Sequence, residues 1–506
     1  MRIDNLSEQQ LENIFNNLNK YVNTNYQPVW TRYVKLGSKI VRIICYSDEF
    51  TPLVERQLTF TLSDCADSYD STLVIWKEKN IFAVPKMLDS VFDPKVNIRL
   101  RIDMLYSKTK EPEIYVFNNE FSVHNPVIYT DNNSRIFNAY DTRNKVQYYG
   151  VENLEPEEFI KQGHIFVQQF NKIIKSDNAN LVHGAVIGLN NNGILFCARG
   201  QRGKSTLSVL SMMEGFEYVS DDYLILEKEG ENLFSYPIYS IITLSPRMYN
   251  ELYDKLEGCR FVSNNARKDK YVVNIAKYHN LFRNKYPIKI CMFPEIVSDK
   301  NPSIEPCPKG RAITQLIQSS VFQTQDMNDN KTIKKLLDMV SGFEFYKINL
   351  CNDIKKNTEF LREFMNDFEN RSHKIFEEDK MYEDITFDLA NILDSENGVI
   401  YSMNKFATNV YENLKTGVAY EAISEKLKSF AGMPDDIENS LKMFVDALLA
   451  EGILKSLKKT SSDVHLNVNF ARDDKFKLSC IKYMETESVE LVKEIKKENK
   501  NELCIK

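Results

Sequence analysis

The stretch Ala198-Arg199-Gly200-Gln201-Arg202-Gly203-Lys204-Ser205-Thr206 decides the reading of this 506-residue chain. An apolar run at 194–197 precedes it, and a segment of helical spacing, 204–214, follows and stops at Gly215. A polyphosphate needs backbone N–H donors aimed at its oxygens, a cation, and a helix N-terminus. Gly200 and Gly203 let the main chain come close and take unusual φ/ψ. Lys204 is placed to reach the β- and γ-phosphates, and Ser205 to ligate Mg²⁺. The pattern G-x-x-x-x-G-K-[ST] is met except at its first position, where Ala198 stands. The expected nucleotide contacts are Ala198, Gly200, Gln201, Arg202, Gly203, Lys204, Ser205 and Thr206. ATP and Mg²⁺ are the expected cofactors.

Two further elements flank the loop. His183-Gly184 lies on an apolar strand expected over 181–189, which Asn190-Asn191-Asn192-Gly193 turns back as a hairpin beside the loop. Downstream, Ser220-Asp221-Asp222 closes a strand expected at 217–220. Carboxylates at a strand end beside a phosphate loop can hold Mg²⁺ or accept a hydroxyl proton.

In order and spacing these elements resemble the catalytic domain of the HPr kinase/phosphorylase family, where an H-G strand, a P-loop and a D-D strand end follow one another. The resemblance covers residues 181–227. It implies that Lys204 and Ser205 bind phosphate and Mg²⁺, and that Asp221 is the general base for the attacking hydroxyl. It implies that Asp222 is the metal-associated neighbour and His183 the active-site histidine. The family's E-R-G-x-G signature is missing downstream, where Lys309-Gly310-Arg311 is only vaguely similar. The resemblance therefore implies neither HPr as the acceptor nor phosphorylase activity. In architecture the chain is similar to HPr-kinase-like proteins of gene clusters that modify ribosomally made peptides. Several of these phosphorylate a peptide serine. The resembled kinases are oligomeric, which makes a homo-oligomer an expectation here.

The expected fold class is a multidomain α+β and α/β chain. Residues 1–150 read as a β-rich domain, with strands expected at 40–46, 58–62, 72–76, 98–104, 113–117, 135–140 and 145–149 behind a helix that opens at Ser7. Residues 151–372 read as the P-loop domain. A polar stretch, 373–380, leads to a module at 381–470, and residues 471–506 read as a charged tail. The module has strands expected at 385–390 and 398–403, then helices at 405–414, 420–430 and 435–451. It resembles the winged-helix-like PqqD fold, a leader-peptide recognition element. That implies β-augmentation, with an extended peptide adding to a free edge strand beside an apolar groove. Val399, Ile400 and Tyr401 are the expected edge, and Leu441 and Phe444 the groove wall. Asp435, Asp436, Glu438 and Asp446 against Lys442 disfavour a DNA-reading helix.

Composition narrows the class. A formal net charge of −6 argues against a dedicated nucleic-acid binder, which needs clustered Lys and Arg. The basic stretch Arg267-Lys268-Asp269-Lys270 is the local exception, placed to face phosphates or an acidic substrate. The nine cysteines are scattered, with no C-x-x-C pair, and no run of about 18 apolar residues marks a membrane span. A cytosolic protein with reduced thiols is expected. The leading expectation is an ATP-dependent serine kinase of a ribosomally made precursor peptide, whose leader the 381–470 module holds. The alternatives are a kinase of a small molecule or folded protein, an ATP-regulated winged-helix DNA regulator, and a scaffold with a degenerate site.

Overall fold

Two parallel pairings stand at the centre of the first sheet. The computed structural model describes residues 8–79, 114–117, 121–124, 135–141, 143–152, 164–174, 176, 178–198, 202–257, 259–265, 270–307, 312–317, 320, 330–340, 342–370, 381–386, 389–394, 399–403, 405–429, 437–457 and 478–481. After helix α1 (Glu8–Asn25) come β1 (Trp30–Leu36) and β2 (Lys39–Cys45), an antiparallel pair with Val34 opposite Val41. Val34, Leu36, Val41, Ile43 and Cys45 point inward at the period of two that a strand imposes. The next long strand, β4 (Ser71–Glu78), lies parallel to β2. A tight turn cannot join parallel neighbours, so a crossover must intervene.

The crossover is helix α2 (Thr51–Leu58), which corrects the strand expected at 58–62. Pro52 sits in its first turn, where a proline costs no hydrogen bond. Leu53, Val54, Gln57 and Leu58 form its buried face at helical spacing. Only β3 (Leu62–Ser63) remains extended there. With β5 (Ile114–Phe117), β6 (Phe121–His124), β7 (Arg135–Asp141) and β8 (Val146–Glu152), the sheet order is β3-β1-β2-β4-β8-β7-β6-β5. The strand expected at 98–104 lies outside the described residues.

The second sheet leads into the stretch at 198–206 that is expected to bind phosphate. Its region comprises α3 (Val167–Ile174), β9 (Ala179–His183), β10 (Ala185–Leu189), β11 (Asn192–Phe196), α4 (Lys204–Met213), β12 (Glu217–Ser220), β13 (Tyr223–Glu229), β14 (Asn232–Pro237), β15 (Ile241–Leu244), α5 (Pro246–Glu251), β16 (Arg260–Asn265), β17 (Lys270–Asn274) and β18 (Tyr286–Ile296). Strands run β12-β10-β11-β18-β14-β13-β9, while β15, β17 and β16 form a separate small sheet. The β10–β11 turn forms as expected. Asn190 and Asn191 both have positive φ, 54° and 64°, as the favoured two-residue hairpin demands.

The single strand expected at 181–189 is instead two, broken at Gly184. A side chain there would put Cβ 2.8 Å from the Phe196 carbonyl oxygen. β9 pairs with β13 and β10 with β12, both antiparallel. His183 faces Tyr223 and Val186 faces Ser220, one continuous register that sets Gly184 across from Asp222. Both strands thus leave the ladder at the same level. Residues on either side of position 150 share one core: Val34, Ile43, Leu73 and Tyr149 pack in a cluster with Leu181, Ile225, Tyr236 and Ile241. Helix α6 (Ile354–Asn366) starts at Asp353, whose carboxylate caps Lys355 N and Lys356 N.

The chain divides into two compact units, Met1–Ile304 with Ile348–Arg371 and Glu305–Lys347 with Ser372–Lys506. In the second, β19 (Met381–Thr386), β20 (Leu389–Asp394), β21 (Val399–Met403) and β22 (Leu478–Ile481) form an antiparallel sheet in that order. Helices α7 (Lys405–Lys415), α8 (Tyr420–Lys428) and α9 (Ile437–Ala450) share a core with it. The free edge expected at 398–403 is corrected. β21 has β20 on one side and β22 on the other, with Tyr401 opposite Cys480. The architecture is a mixed α and β one with several sheets, and among the described residues no helix is long and apolar enough to cross a membrane.

Gly184→Ala must push apart β10 and β11 or shift the Phe196 carbonyl. It is expected to destabilise the protein by about 1–3 kcal/mol in urea unfolding, the usual cost of forced overpacking. An unchanged midpoint would show that the break has another cause.

Candidate active site

The interruption of the β9–β13 and β10–β12 ladder gathers the polar residues. Residues 192–198 are buried, and Gly203 has φ 92°, a left-handed conformation that glycine takes without strain. Gly203 also sits against the Leu350 side chain, which a Cβ would meet at 2.8 Å. Lys204 opens α4, is 5% exposed, and its Nζ donates to the Ala198 carbonyl at 2.5 Å. Ser205 and Thr206 follow, half-buried. Arg202 pairs with Glu295 at 3.3 Å. Gly200 and Gln201 lie outside the described residues, as do residues 267–269 of the basic stretch.

Asp221 and Asp222 fill the gap between β12 and β13. Asp222 has φ 66° and its carbonyl accepts from Gly184 N at 3.0 Å. Its Oδ2 accepts from Thr243 Oγ1 at 2.5 Å and lies 3.7 Å from His164 Nε2. His183, buried at the end of β9, meets the Tyr223 ring edge-on at 5.3 Å, and His164 meets the same ring at 5.2 Å. Asp221 is 1% exposed, and neither of its carboxylate oxygens has a hydrogen bond of ordinary geometry. The Ser205 hydroxyl is near enough to favour its charged form.

The electrostatics separate the two carboxylates. Burial, and then the Asp222 charge, push Asp221 up to about 7, against the opposing pull of Lys270, Ser205 and Lys204. Burial would raise Asp222 too, but His164, His183, Lys270 and the Thr243 hydroxyl outweigh it and hold that carboxyl below the usual range. Burial lowers Lys204, while Asp222 and Asp221 oppose the loss of its charge. Two adjacent carboxylates with their proton affinities driven apart are the pattern of an acid–base site.

No family model matches this chain, and no curated protein does. A solved structure of the Hpr(Ser) kinase/phosphatase from Coxiella burnetii matches with 13% identity, over 38% of this chain and 96% of that one, at a TM-score of 0.23. That is a distant likeness.

The structure brings His183, Lys204, Ser205, Asp221 and Asp222 together. It adds His164 and Thr243, which no sequence motif marks, and brings in Lys270 of the basic stretch, on β17. His164 is one histidine in no recognisable motif, and Thr243 is one threonine in an apolar strand; only their contacts reveal them. Among the described residues no three His, Cys, Asp or Glu side chains form a metal-binding group. A Mg²⁺ ion does not need one. It takes few protein ligands, hard oxygens, and completes its shell with phosphates and water. The Asp222 carboxylate, whose side chain keeps 16% of its surface exposed, and the half-buried Ser205 fit that chemistry.

The residues expected to bind peptide fare differently. Tyr401 is 2% exposed and donates to Glu451 Oε2 at 2.6 Å. Leu441 and Phe444 belong to the core of their own unit. Val399 and Ile400 lie on β21, between two strands.

Asp221 sets a pH signature. Below about pH 4 it is neutral in folded and unfolded chains alike. Between there and about 7 the unfolded chain ionises it while the folded protein resists, so its contribution to stability falls as pH rises. Asp221→Asn is therefore expected to raise the melting temperature at pH 8, by a gain on the order of a few kcal/mol, and the gain should fade towards pH 4. A pH-independent gain would place the strain elsewhere.

Proposed function

We propose that the chain is an ATP-dependent kinase that transfers a phosphoryl group to a side-chain hydroxyl, with a serine of a ribosomally made precursor peptide as the acceptor. One observation carries the transferase reading: two consecutive aspartates, one buried without a hydrogen bond of ordinary geometry and one held by Thr243, lie near Lys204 and Ser205. Phosphoryl transfer asks a protein mainly for positioning and charge neutralisation.

Lys204 holds the β- and γ-phosphates at the N-terminus of α4, where Gly203 frees the backbone N–H groups to point at them. Ser205 and Asp222 would hold Mg²⁺, which when bound neutralises charge on the phosphates. Asp221 takes the proton of the acceptor hydroxyl as the hydroxyl oxygen attacks the γ-phosphorus, and the bond from that phosphorus to the bridging oxygen breaks, releasing ADP. A carboxylate with a pKa near 7 is better matched to that task than an ordinary one. His183, at the break between β9 and β10, supports the transferred group.

The peptide acceptor rests on resemblance in the C-terminal unit, a four-stranded antiparallel sheet against three helices. Pairing of a leader with β21 requires β22 to leave. The occupied edge favours a second reading, a kinase of the same chemistry whose acceptor is a small molecule or a folded protein.

The direct experiment mixes the protein, Mg-ATP and the co-encoded precursor peptide and looks for a phosphate-sized mass gain. Asp221→Asn should lower turnover by about 10²–10⁴-fold, the usual worth of a general base, while ATP still binds. Turnover of the parent should fall on acidification as Asp221 takes up a proton. ATP binding without transfer to the true precursor would leave the second reading, which predicts activity in a chain lacking residues 372–506. For the peptide reading, removing residues 471–506 should tighten peptide binding by freeing β21; unchanged or weaker binding counts against that edge.

A further inference from the structure

Asp222 is held from two sheets at once. Its main chain is fixed within the ladder, through Gly184 N and its left-handed φ. Its side chain is fixed from outside, by Thr243 on β15 of the small three-stranded sheet. Thr243 is 5% exposed, and its backbone is locked by pairing with Val272 of β17. A β-branched side chain on a paired strand has little rotamer freedom, so the hydroxyl is presented in one place. Both side-chain contacts, Thr243 at 2.5 Å and His164 at 3.7 Å, fall on Oδ2. Oδ1 carries neither, and the Asp222 side chain keeps 16% of its surface exposed.

We propose that Thr243 is a positioning residue for the phosphate site: by engaging Oδ2 it orients Asp222 so that Oδ1 is the oxygen offered to a divalent cation on the nucleotide. The inference rests on the kinase reading and assigns a role to a residue outside the loop and the aspartate pair. A carboxylate free to rotate would offer either oxygen, or neither, and lose affinity to the disorder. A hydrogen bond from behind removes that freedom, as partners of metal-binding carboxylates do elsewhere. A threonine that merely satisfied a buried group would affect folding and leave ion affinity unchanged.

The test uses the full chain and calorimetry of a non-hydrolysable ATP analogue, with and without Mg²⁺. Thr243→Val removes the hydroxyl and keeps the shape; Thr243→Ser keeps the hydroxyl. Thr243→Val should bind the metal-free analogue as the parent does, and lose about 10-fold or more of the Mg²⁺-dependent gain in affinity. Thr243→Ser should recover most of that gain. If Thr243→Val does not fold, Thr243→Ala replaces it with the same expectations. A valine or alanine variant with the full Mg²⁺-dependent gain overturns the proposal and leaves the kinase reading standing. So does a serine variant as impaired as the valine one. A parent chain that binds no nucleotide overturns the kinase reading and this inference with it.

Discussion

Two carboxylates on consecutive residues, both withdrawn from water, cannot both be ionised without a large electrostatic penalty unless cations and donors compensate. Everything around Asp221 and Asp222 responds to that constraint. The compensating groups are unevenly shared. Thr243 and His164 touch Asp222, and His183 and Lys270 act on it at longer range. Asp221 is left with Ser205 and the more distant lysines, and its hold on a proton is strengthened. The backbone serves the same end. The positive φ at Asp222 and the missing side chain at Gly184 let two strands part just enough to admit both acids.

How much of this was legible in the sequence follows from what each feature depends on. The Asn190-Asn191 turn and the Gly203-Lys204 helix start depend on local chemistry, and local chemistry is written in adjacent residues. The Asp221-Asp222 strand end is readable for the same reason. The break at Gly184 depends on the carbonyl of Phe196, so an unbroken apolar run reads as one strand. Helix α2 was hidden because Leu58 and Leu62 look extended until the parallel partner of β2 is known. Thr243 reads as ordinary strand filler, and His164 stands 58 positions before the aspartate it approaches. Nothing in their immediate neighbours marks them.

The C-terminal unit shows the opposite case, a pattern that is legible but serves another purpose. An apolar stripe on a helix reads equally well as a groove or as a core. A small unit has little interior to spare, so its best stripe is used to hold itself together. Leu441 and Phe444 do so here, with Tyr401 and Phe406. Likewise a strand pattern states nothing about which edges are covered. The occupant of the β21 edge is a four-residue segment beginning 75 positions after that strand ends, at Leu478.

The parallel pairing of β11 with β18 carries a temporal consequence. Ile194 and Phe196, which lead into the phosphate loop, are neighbours of Ile290 and Met292. Closing so long a stretch is slow relative to making a local hairpin. As the chain leaves the ribosome, β10 and β11 can fold on each other at once, but the floor beneath the loop is incomplete until β18 has emerged. A nascent chain therefore displays residues 198–206 well before the sheet that leads into them is complete.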